Sequence, residues 1–208
     1  MTAAEKLVRG AAALDVELTE HQCDRMLRYM ELMQKWNRTY NLTAVRSEAD
    51  MLTHHLLDSL SVLPHLASSS VADIGSGGGL PGIPIAIARP DTNVTLVEAV
   101  QKKAAFLRQA MIEVGLKNVT VVGTRVEDWR PKVLFDVVIS RAFAHLRDFL
   151  SVAGHVCVPG GLMAAMKGVI PQEELEAVPT GFHVTRTIAL KIPGLAAERH
   201  LILVKRDE

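Results

Sequence analysis

The sequence predicts an α/β fold: a Rossmann-like, doubly wound and mostly parallel sheet that ends in an antiparallel hairpin, preceded by an N-terminal helical extension. Three observations predict it. A short apolar strand, Val71–Ile74, runs into a turn rich in glycine and then into an apolar helix. Strand and helix patterns then alternate at the spacing of parallel βαβ units. The last two strand patterns have a Pro193-Gly194 loop and no helix between them, so we expect them to pair antiparallel at a sheet edge.

The N-terminal third has a helical pattern, and we divide the chain into an extension, residues 1–66, and a sheet domain, residues 67–208. Thr19 and Gln22 form a capping box at the start of a long amphipathic helix. The apolar stripe of this helix contains several methionines, which are more often core residues than ligand contacts. Ser47 is expected to cap a second helix that leads towards the sheet.

The elements predicted after the glycine turn are helix 81–88, strand 93–97, helix 101–114 and strands 119–122, 135–140, 162–166, 183–190 and 200–204. Gly115 should end helix 101–114, since glycine readily adopts the left-handed conformation found after a helix C-terminus. In sheets of this kind, ligands bind beyond the carboxyl ends of the parallel strands. The residues directly after these strands are therefore the candidates for a functional site.

Length, charge and cysteine content limit the domain size, the partners and the compartment that can be expected. The chain has 208 residues, of which 49% are hydrophobic, enough for one well-filled domain with a small appendage. Its formal net charge is zero, so a nucleic-acid partner would need a local basic surface. The two cysteines, Cys23 and Cys157, give neither a disulfide framework nor a metal cluster. Without a signal-peptide or membrane-span pattern, we expect a cytoplasmic protein that acts as a monomer and has no membrane partner.

The glycine turn has the pattern D-x-G-x-G-x-G, in which Asp73 precedes Gly75 and Gly77. Glycine is needed where the backbone takes positive φ and approaches a ligand closely. The helix that follows is expected to present unpaired N–H groups to an anionic ligand group. Residues 77–82 also satisfy G-x-G-x-x-G, but the first glycine after the strand is Gly75 and the sixth position is Leu80. The close helix–strand contact of a dinucleotide fold is therefore not encoded.

The Asp73 carboxylate narrows the kind of ligand further. It favours a cationic group, such as the ammonium of a methionine-type tail, and it would repel a pyrophosphate. The turn resembles motif I of the class I S-adenosylmethionine-dependent methyltransferases. The glycine turn therefore predicts an S-adenosylmethionine cradle.

Three further strand ends carry candidate residues. Glu98 ends the second strand, where an acidic side chain can accept hydrogen bonds from ribose hydroxyls; otherwise it is a surface carboxylate. Val126 and Glu127 follow the third strand, where a backbone amide and a carboxylate can contact adenine; otherwise they form a solvated turn. Ser140 and Arg141 follow the fourth strand, beside the expected position of the transferred methyl group, although an arginine there could instead form a surface salt bridge.

The end of the fourth strand also excludes several acceptor chemistries. It lacks the Asn or Asp with two prolines of exocyclic-amine methyltransferases, and Ser140 stands where ribose 2′-hydroxyl enzymes have Asp. Cys157 lies between two valines, which indicates a small buried residue and not the nucleophile of a pyrimidine-C5 enzyme. Attack by the lone pair of a ring nitrogen remains open.

Six strings, which together span nearly the whole chain, carry a specific resemblance. The sequence is similar to the glucose-inhibited division protein B family in Trp36-Asn37-x-x-Tyr40-Asn41-Leu42-Thr43, His55-x-x-Asp58-Ser59, and residues 73–82, 125–127, 139–144 and 198–201. The first and last of these strings are not shared by methyltransferases at large. The resemblance implies methylation of N7 of one guanine in the decoding-centre (530) loop of bacterial 16S ribosomal RNA, with 16S rRNA or the small ribosomal subunit as partner.

The resemblance also implies S-adenosylmethionine contacts for Gly75, Leu80, Val126, Glu127 and Arg141. Together with the residues from the turn pattern, the predicted cofactor set is Asp73, Gly75, Gly77, Leu80, Glu98, Val126, Glu127 and Arg141. Guanine N7 has a free lone pair at neutral pH, so its methylation needs no general base. Ser140 and Arg141 are accordingly predicted to position the reactants.

Three basic residues are assigned to RNA: Arg125, Lys167 and Arg199. An arginine bound to O6 and N7 of guanine would occupy the atom that must react, so Arg125, Arg141 and Arg199 are better assigned to phosphates, to the cofactor carboxylate or to RNA positioning. Together with Lys167 they are expected to form a local basic surface near the strand ends. Two other functions stay open. A dinucleotide-dependent oxidoreductase is disfavoured by Leu80 and by the terminal hairpin, and a cofactor-binding regulator without catalysis would be excluded only by methyl transfer.

Overall fold

The computed structural model of the protein describes residues 1–170 and 172–208. A π-helical stretch, Leu52–Leu57, joins two short α-helices into one longer helical segment. None of the described helices is both long and apolar enough to cross a membrane. The α-helices are α1 (Ala3–Ala12), α2 (Glu20–Tyr40), α3 (Glu48–Met51), α4 (Asp58–Leu60), α5 (Gly82–Ala88), α6 (Gln101–Val114), α7 (Leu146–Ala153) and α8 (Gln172–Glu176).

Seven strands form one sheet with the order β3-β2-β1-β4-β5-β7-β6. The first five strands are parallel, and β7 pairs antiparallel with both β5 and β6. The predicted α/β class and the antiparallel end of the sheet are confirmed. The strands are β1 (Ser70–Ile74), β2 (Asn93–Val97), β3 (Val119–Val122), β4 (Phe135–Ser140), β5 (Cys157–Lys167), β6 (Phe182–Ala189) and β7 (His200–Arg206).

Strand β5 is longer than predicted. The sequence Pro159-Gly160-Gly161 has the composition of a turn, so the strand was expected to begin only at Leu162. In the structure the pairing continues to Cys157 opposite Phe135, past a register irregularity in β4, and Gly160 takes a φ of +72°. A strand can pass through such a composition when glycine accommodates the irregular backbone.

The parallel register brings four strand ends to one edge of the sheet. Ile74 is paired with Val97, and Val97 with Val122, while Asp73 is paired with Ile139. The residues that follow β1, β2, β3 and β4 therefore lie along the same edge. This is the edge at which ligands bind in open α/β sheets.

The N-terminal helices pack against one face of the sheet. Helix α1 adds to the predicted elements, and its Thr2–Glu5 capping box is of the same kind as that of Thr19 and Gln22 in α2. The methionine stripe of α2 is core, as predicted, since Met26 is fully buried. One apolar cluster contains residues of the extension together with residues of the sheet and of α6. The division between residues 66 and 67 stays a prediction, because this continuous core crosses it.

One polar contact links the N-terminal helices to the glycine turn. Tyr29 of α2 is fully buried, and its hydroxyl donates a hydrogen bond to the Gly78 carbonyl. Burial raises the pKa of Tyr29 well above its ordinary value, so the hydroxyl keeps the proton that it donates. The extension therefore stabilises the turn directly.

We expect Tyr29→Phe to lower the free energy of unfolding by ~1–3 kcal/mol, because the Gly78 carbonyl would be left buried without its partner. Chemical denaturation measures this change. Tyr40→Phe is the matched control, since Tyr40 is 36% exposed and its hydroxyl makes no hydrogen bond within the described residues. Equal losses in the two variants would contradict a specific role for the contact with Gly78.

Candidate functional site

The glycine turn adopts a backbone that requires glycine. Gly75, Gly77 and Gly79 have φ values of +70°, +57° and +93°. The Gly75 N–H donates to the Val97 carbonyl at 2.9 Å, and a Cβ added at Gly75 would lie 2.9 Å from the Cβ of Ala142. The turn is thus held between the ends of β2 and β4, with no space for a side chain at its first glycine.

Asp73 closes the turn onto the helix that follows it. The side chain is fully buried, and its Oδ2 accepts a hydrogen bond from the Gly82 N–H at 2.9 Å. The Ile83 N–H donates to the Gly79 carbonyl at 2.8 Å. The expectation that α5 presents unpaired N–H groups to an anionic ligand is therefore wrong for these two groups, because the chain itself satisfies them.

The second oxygen of Asp73 has a different environment. Oδ1 is buried and has no hydrogen-bond partner in the described part of the chain. Burial is the largest influence on this carboxyl group and raises its pKa to about 7. A nearby cation would lower that pKa and satisfy Oδ1. A direct contact between Asp73 and the cofactor stays a prediction.

Glu98 fixes the other side of the turn. It is 6% exposed, and its two carboxylate oxygens accept hydrogen bonds from the Gly77 and Val100 N–H groups, each at 2.8 Å. The alternative of a freely solvated surface carboxylate is thereby wrong. Each carboxylate oxygen can accept a second hydrogen bond, so the predicted ribose contact stays compatible with these two bonds.

The predicted adenine contacts lie after β3. Val126 is buried in the smaller apolar cluster, whereas the Glu127 side chain is exposed. Both belong to a 3-10 turn, Val126–Asp128, whose first N–H groups have no acceptor within the turn. Leu80 is 5% exposed and packs in the larger cluster beneath the glycine turn.

Ser140 joins the ends of β1 and β4. Its hydroxyl donates to the Ile74 carbonyl at 2.7 Å and accepts from the Ala142 N–H at 3.1 Å. The residue is 3% exposed. The hydroxyl is therefore engaged in holding the strand ends, and its predicted influence on the reactants would act through this backbone geometry.

A cavity of about 320 Å³ lies beside the end of β4 and contains three of the predicted basic residues. Its lining residues are Val45, His54, His55, Asp58, Arg141, Met166, Lys167, Gly168 and Arg199. Arg125 does not line it: this exposed residue follows β3, and three strand spacings from β4 correspond to roughly 14 Å. The predicted basic surface therefore consists of a cavity and a separate arginine on the same sheet edge.

Each cation of this cavity is paired with a carboxylate. Arg141 Nη1 lies 3.1 Å from Asp58 Oδ2, and Arg199 Nε lies 3.2 Å from Asp58 Oδ1. Lys167 Nζ lies 3.3 Å from Glu174 and donates to the carbonyls of Phe143 and Ala144. Three positive charges thus meet two negative charges, and one positive charge remains.

His55 lines the same cavity in its neutral form. Burial, followed by the nearby Arg141 charge, lowers the pKa of His55 to about 4. Its Nε2 lies 2.9 Å from the Thr43 hydroxyl. The sequence reasoning used His55 and Asp58 only as part of a family string and missed their place in the site. The available signal was weak: His55 and Asp58 lie about one helical turn apart, but the same segment also contains the polar residues Thr53, His54 and Ser59.

Solved structures with the same architecture define the class of fold. TomG from Streptomyces achromogenes, an O-methyltransferase solved in complex with SAM, superimposes with a TM-score of 0.58 at 17% identity and covers 100% of both chains. TrmN from Thermus thermophilus gives a TM-score of 0.57 at 19% identity, covering 82% of this chain and 53% of that chain. The fold is that of the class I S-adenosylmethionine-dependent methyltransferases.

Sequence comparison identifies the family within this class. A family model described as "GidB: rRNA small subunit methyltransferase G" matches residues 22–202. The protein named "Ribosomal RNA small subunit methyltransferase G" from Nitrosospira multiformis is 53% identical, covering 99% of each chain. The protein of the same name from Aromatoleum aromaticum is 51% identical, covering 98% of this chain and 99% of its own. The chain belongs to this family, and the predicted resemblance is confirmed.

We expect Gly75→Val to abolish binding of S-adenosylmethionine, because the new side chain would be strained at a φ of +70° and would collide with Ala142. Isothermal titration calorimetry on folded protein measures this. Gly181→Val is the matched control, since Gly181 has a φ of +89° but an added Cβ would meet no atom within 4 Å. Unchanged affinity in Gly75→Val would contradict the assignment of the turn as the cradle.

Proposed function

We propose that the protein transfers the methyl group of S-adenosylmethionine to N7 of a guanine in the decoding-centre loop of bacterial 16S rRNA. The observation that carries the proposal is the position of the glycine turn directly beside a basic cavity. Gly75 faces Ala142 at the end of β4, and the preceding residue, Arg141, lines the cavity. The names of the closely similar relatives support a ribosomal RNA substrate.

The cofactor is proposed to lie along the edge formed by the ends of β1 to β4. Gly75, Gly77 and Leu80 would form its cradle, while Asp73 would compensate a cationic group at its methionine end. Glu98 would accept hydrogen bonds from its ribose. The backbone and side chain of Val126 and Glu127 would contact adenine, and Arg141 would face the end that carries the methyl group.

The chemistry of N7 fits the groups available in the cavity. Both oxygens of Asp58 are paired with arginine, and Lys167 is paired with Glu174, so neither is poised to remove a proton. A ring-nitrogen lone pair needs no proton removal, and alignment of N7, the methyl carbon and sulfur can supply roughly 7–11 kcal/mol of the barrier. Arg141 and Ser140 are proposed to serve this alignment, Ser140 through the strand ends that it joins.

The acceptor guanine is proposed to enter the cavity as an unstacked nucleotide. A nucleobase inside a stacked helix cannot present its reacting atom to a buried methyl donor, so enzymes of this kind extrude their target. Arg199 and Lys167 would contact phosphates beside the cavity, and Arg125 would contact RNA further along the sheet edge. Because the net charge of the protein is zero, recognition would rest on these local contacts and on the shape of the folded loop.

The proposal includes a monomeric, cytoplasmic enzyme that acts on 16S rRNA or on the small ribosomal subunit. Two buried, unpaired cysteines, Cys23 and Cys157, are in keeping with a reducing compartment. The oxidoreductase alternative is not favoured, since Asp73 and Gly79 occupy the two helix N–H groups that a pyrophosphate would need. Only a measurement of methyl transfer can distinguish the proposed enzyme from a cofactor-binding regulator without catalysis.

We expect the purified protein to transfer tritium from methyl-labelled S-adenosylmethionine to 16S rRNA or small subunits isolated from a strain that lacks the gene. The same material from the parent strain is the control, because its target guanine would already be methylated. Mapping the label to N7 of one guanine tests the acceptor. Cofactor binding without any transfer to either substrate would favour the regulator, and binding of NAD in its place would favour the oxidoreductase.

We expect Arg199→Ala to lower kcat/KM for the RNA by about 10- to 150-fold, the equivalent of losing one charge-assisted hydrogen bond of ~1.5–3 kcal/mol. Affinity for S-adenosylmethionine should change by no more than about twofold, since Arg199 is proposed to contact RNA. Lys205→Ala is the matched control. Lys205 is an exposed cation on β7, and its backbone lies opposite Leu162 of β5, away from the cavity. A loss of affinity for S-adenosylmethionine together with the loss of RNA methylation would contradict the assignment. So would a wild-type protein that methylates arbitrary guanine oligomers as readily as rRNA.

A further inference from the structure

Two arginines from distant parts of the chain meet at one buried carboxylate. Asp58 is 1% exposed; its Oδ2 binds Arg141 after β4, and its Oδ1 binds Arg199 before β7. Each carboxylate oxygen therefore has a guanidinium partner, and Asp58 joins the two arginines at one wall of the cavity. The geometry indicates that Asp58 acts through these two guanidinium groups.

The π-helical stretch before Asp58 explains how one helical turn can offer Arg141 two hydrogen-bond acceptors, a carboxylate and a free backbone carbonyl. In an α-helix the N–H of Asp58 would donate to the carbonyl of His54. Here it donates to the carbonyls of Thr53 and His55. The His54 carbonyl accepts a hydrogen bond from Arg141 Nη1 at 3.1 Å, beside the bond of the same nitrogen to Asp58. Single π-helical turns of this kind frequently occur at functional sites.

The charge of Asp58 also matters for the proposed reaction. Methyl transfer moves the positive charge of the sulfonium onto the guanine ring, and no proton is released. Two uncompensated guanidinium groups beside the acceptor would oppose this movement. Asp58 compensates one of the two, while the neighbouring His55 carries no charge at neutral pH and Lys167 is paired with Glu174.

We propose that Asp58 is a positioning residue that fixes Arg141 and Arg199 relative to each other and thereby aligns cofactor and acceptor RNA. The inference rests on the proposed function, because it assumes that Arg141 lies beside the cofactor and Arg199 beside the RNA. The N-terminal helical extension thereby has a role in the reaction, because it supplies Asp58 and the carbonyl of His54.

The test is Asp58→Asn, which keeps the size of the side chain and removes its charge. We expect the single-turnover rate of methyl transfer, at saturating cofactor and RNA, to fall at least tenfold. Ser59→Ala is the matched control: Ser59 is the next residue, is fully buried, and its hydroxyl has no partner among the described residues. Its rate should stay within twofold of wild type. A folded Asp58→Asn variant with the wild-type rate would overturn the proposal.

A double-mutant cycle separates positioning from general stabilisation. If Asp58 acts through Arg199, the variant Asp58→Asn/Arg199→Ala should be no more than about twofold slower than the slower single variant. Losses that multiply would overturn the proposal, because they would mean that the two residues act independently.

A readout that does not depend on catalysis separates this inference from the proposed function. In ¹⁵N-resolved NMR, the Arg199 Nε–H signal, assigned by its loss in Arg199→Ala, should exchange slowly with solvent in wild type and in Ser59→Ala. It should exchange rapidly in Asp58→Asn. Rapid exchange already in wild type would overturn the positioning role even if Asp58→Asn failed to fold. Slow exchange in a wild-type protein that methylates no RNA would refute the proposed function and leave the role of Asp58 in holding Arg199 supported.

Discussion

The glycine turn after β1 can exist only if its buried backbone groups find partners, because the turn has almost no side chains of its own. An unpaired buried N–H or carbonyl group costs about as much as a lost hydrogen bond. The partners come from several elements: the carbonyl of Val97, the carboxylates of Asp73 and Glu98, and the hydroxyl of Tyr29. The relative positions of β1, β2, α2 and α5 are thus fixed by one short loop.

This constraint explains why residues that were predicted as ligand contacts also serve the fold. The carboxylates of Asp73 and Glu98 accept hydrogen bonds from backbone N–H groups of the turn or of residues close to it. The hydrogen-bond acceptors that remain for a ligand are one buried oxygen of Asp73 and the unused lone pairs of Glu98. A cofactor bound there would complete a hydrogen-bond network that the protein has already built, which is a form of preorganisation.

The sequence was sufficient for the sheet and for the glycine turn because both are encoded locally. Apolar patterns predicted the bounds of β2, β3 and β4, and the positive φ of Gly75 follows from a turn pattern of a few residues. The pairing of Arg141 and Arg199 with Asp58 could not be predicted in this way. It joins positions separated by 83 and 141 residues, and nothing in the local pattern of any of the three specifies the others. The continuation of β5 through a Pro-Gly-Gly sequence was likewise decided by the neighbouring strand.

The position of β7 within the sheet has a consequence for how the molecule is made. This last strand lies between β5 and β6, and Leu201 to Val204 are buried on both faces. During synthesis, β5 therefore remains an open sheet edge, a potential aggregation surface, until the residues of β7 have left the ribosome. Arg199 precedes β7 directly, so the cavity also stays incomplete until that moment. A chain that ended before Arg199 would leave β5 without its antiparallel partner and the cavity without one of its arginines, and a nascent chain cannot complete the cavity before these residues have been synthesised.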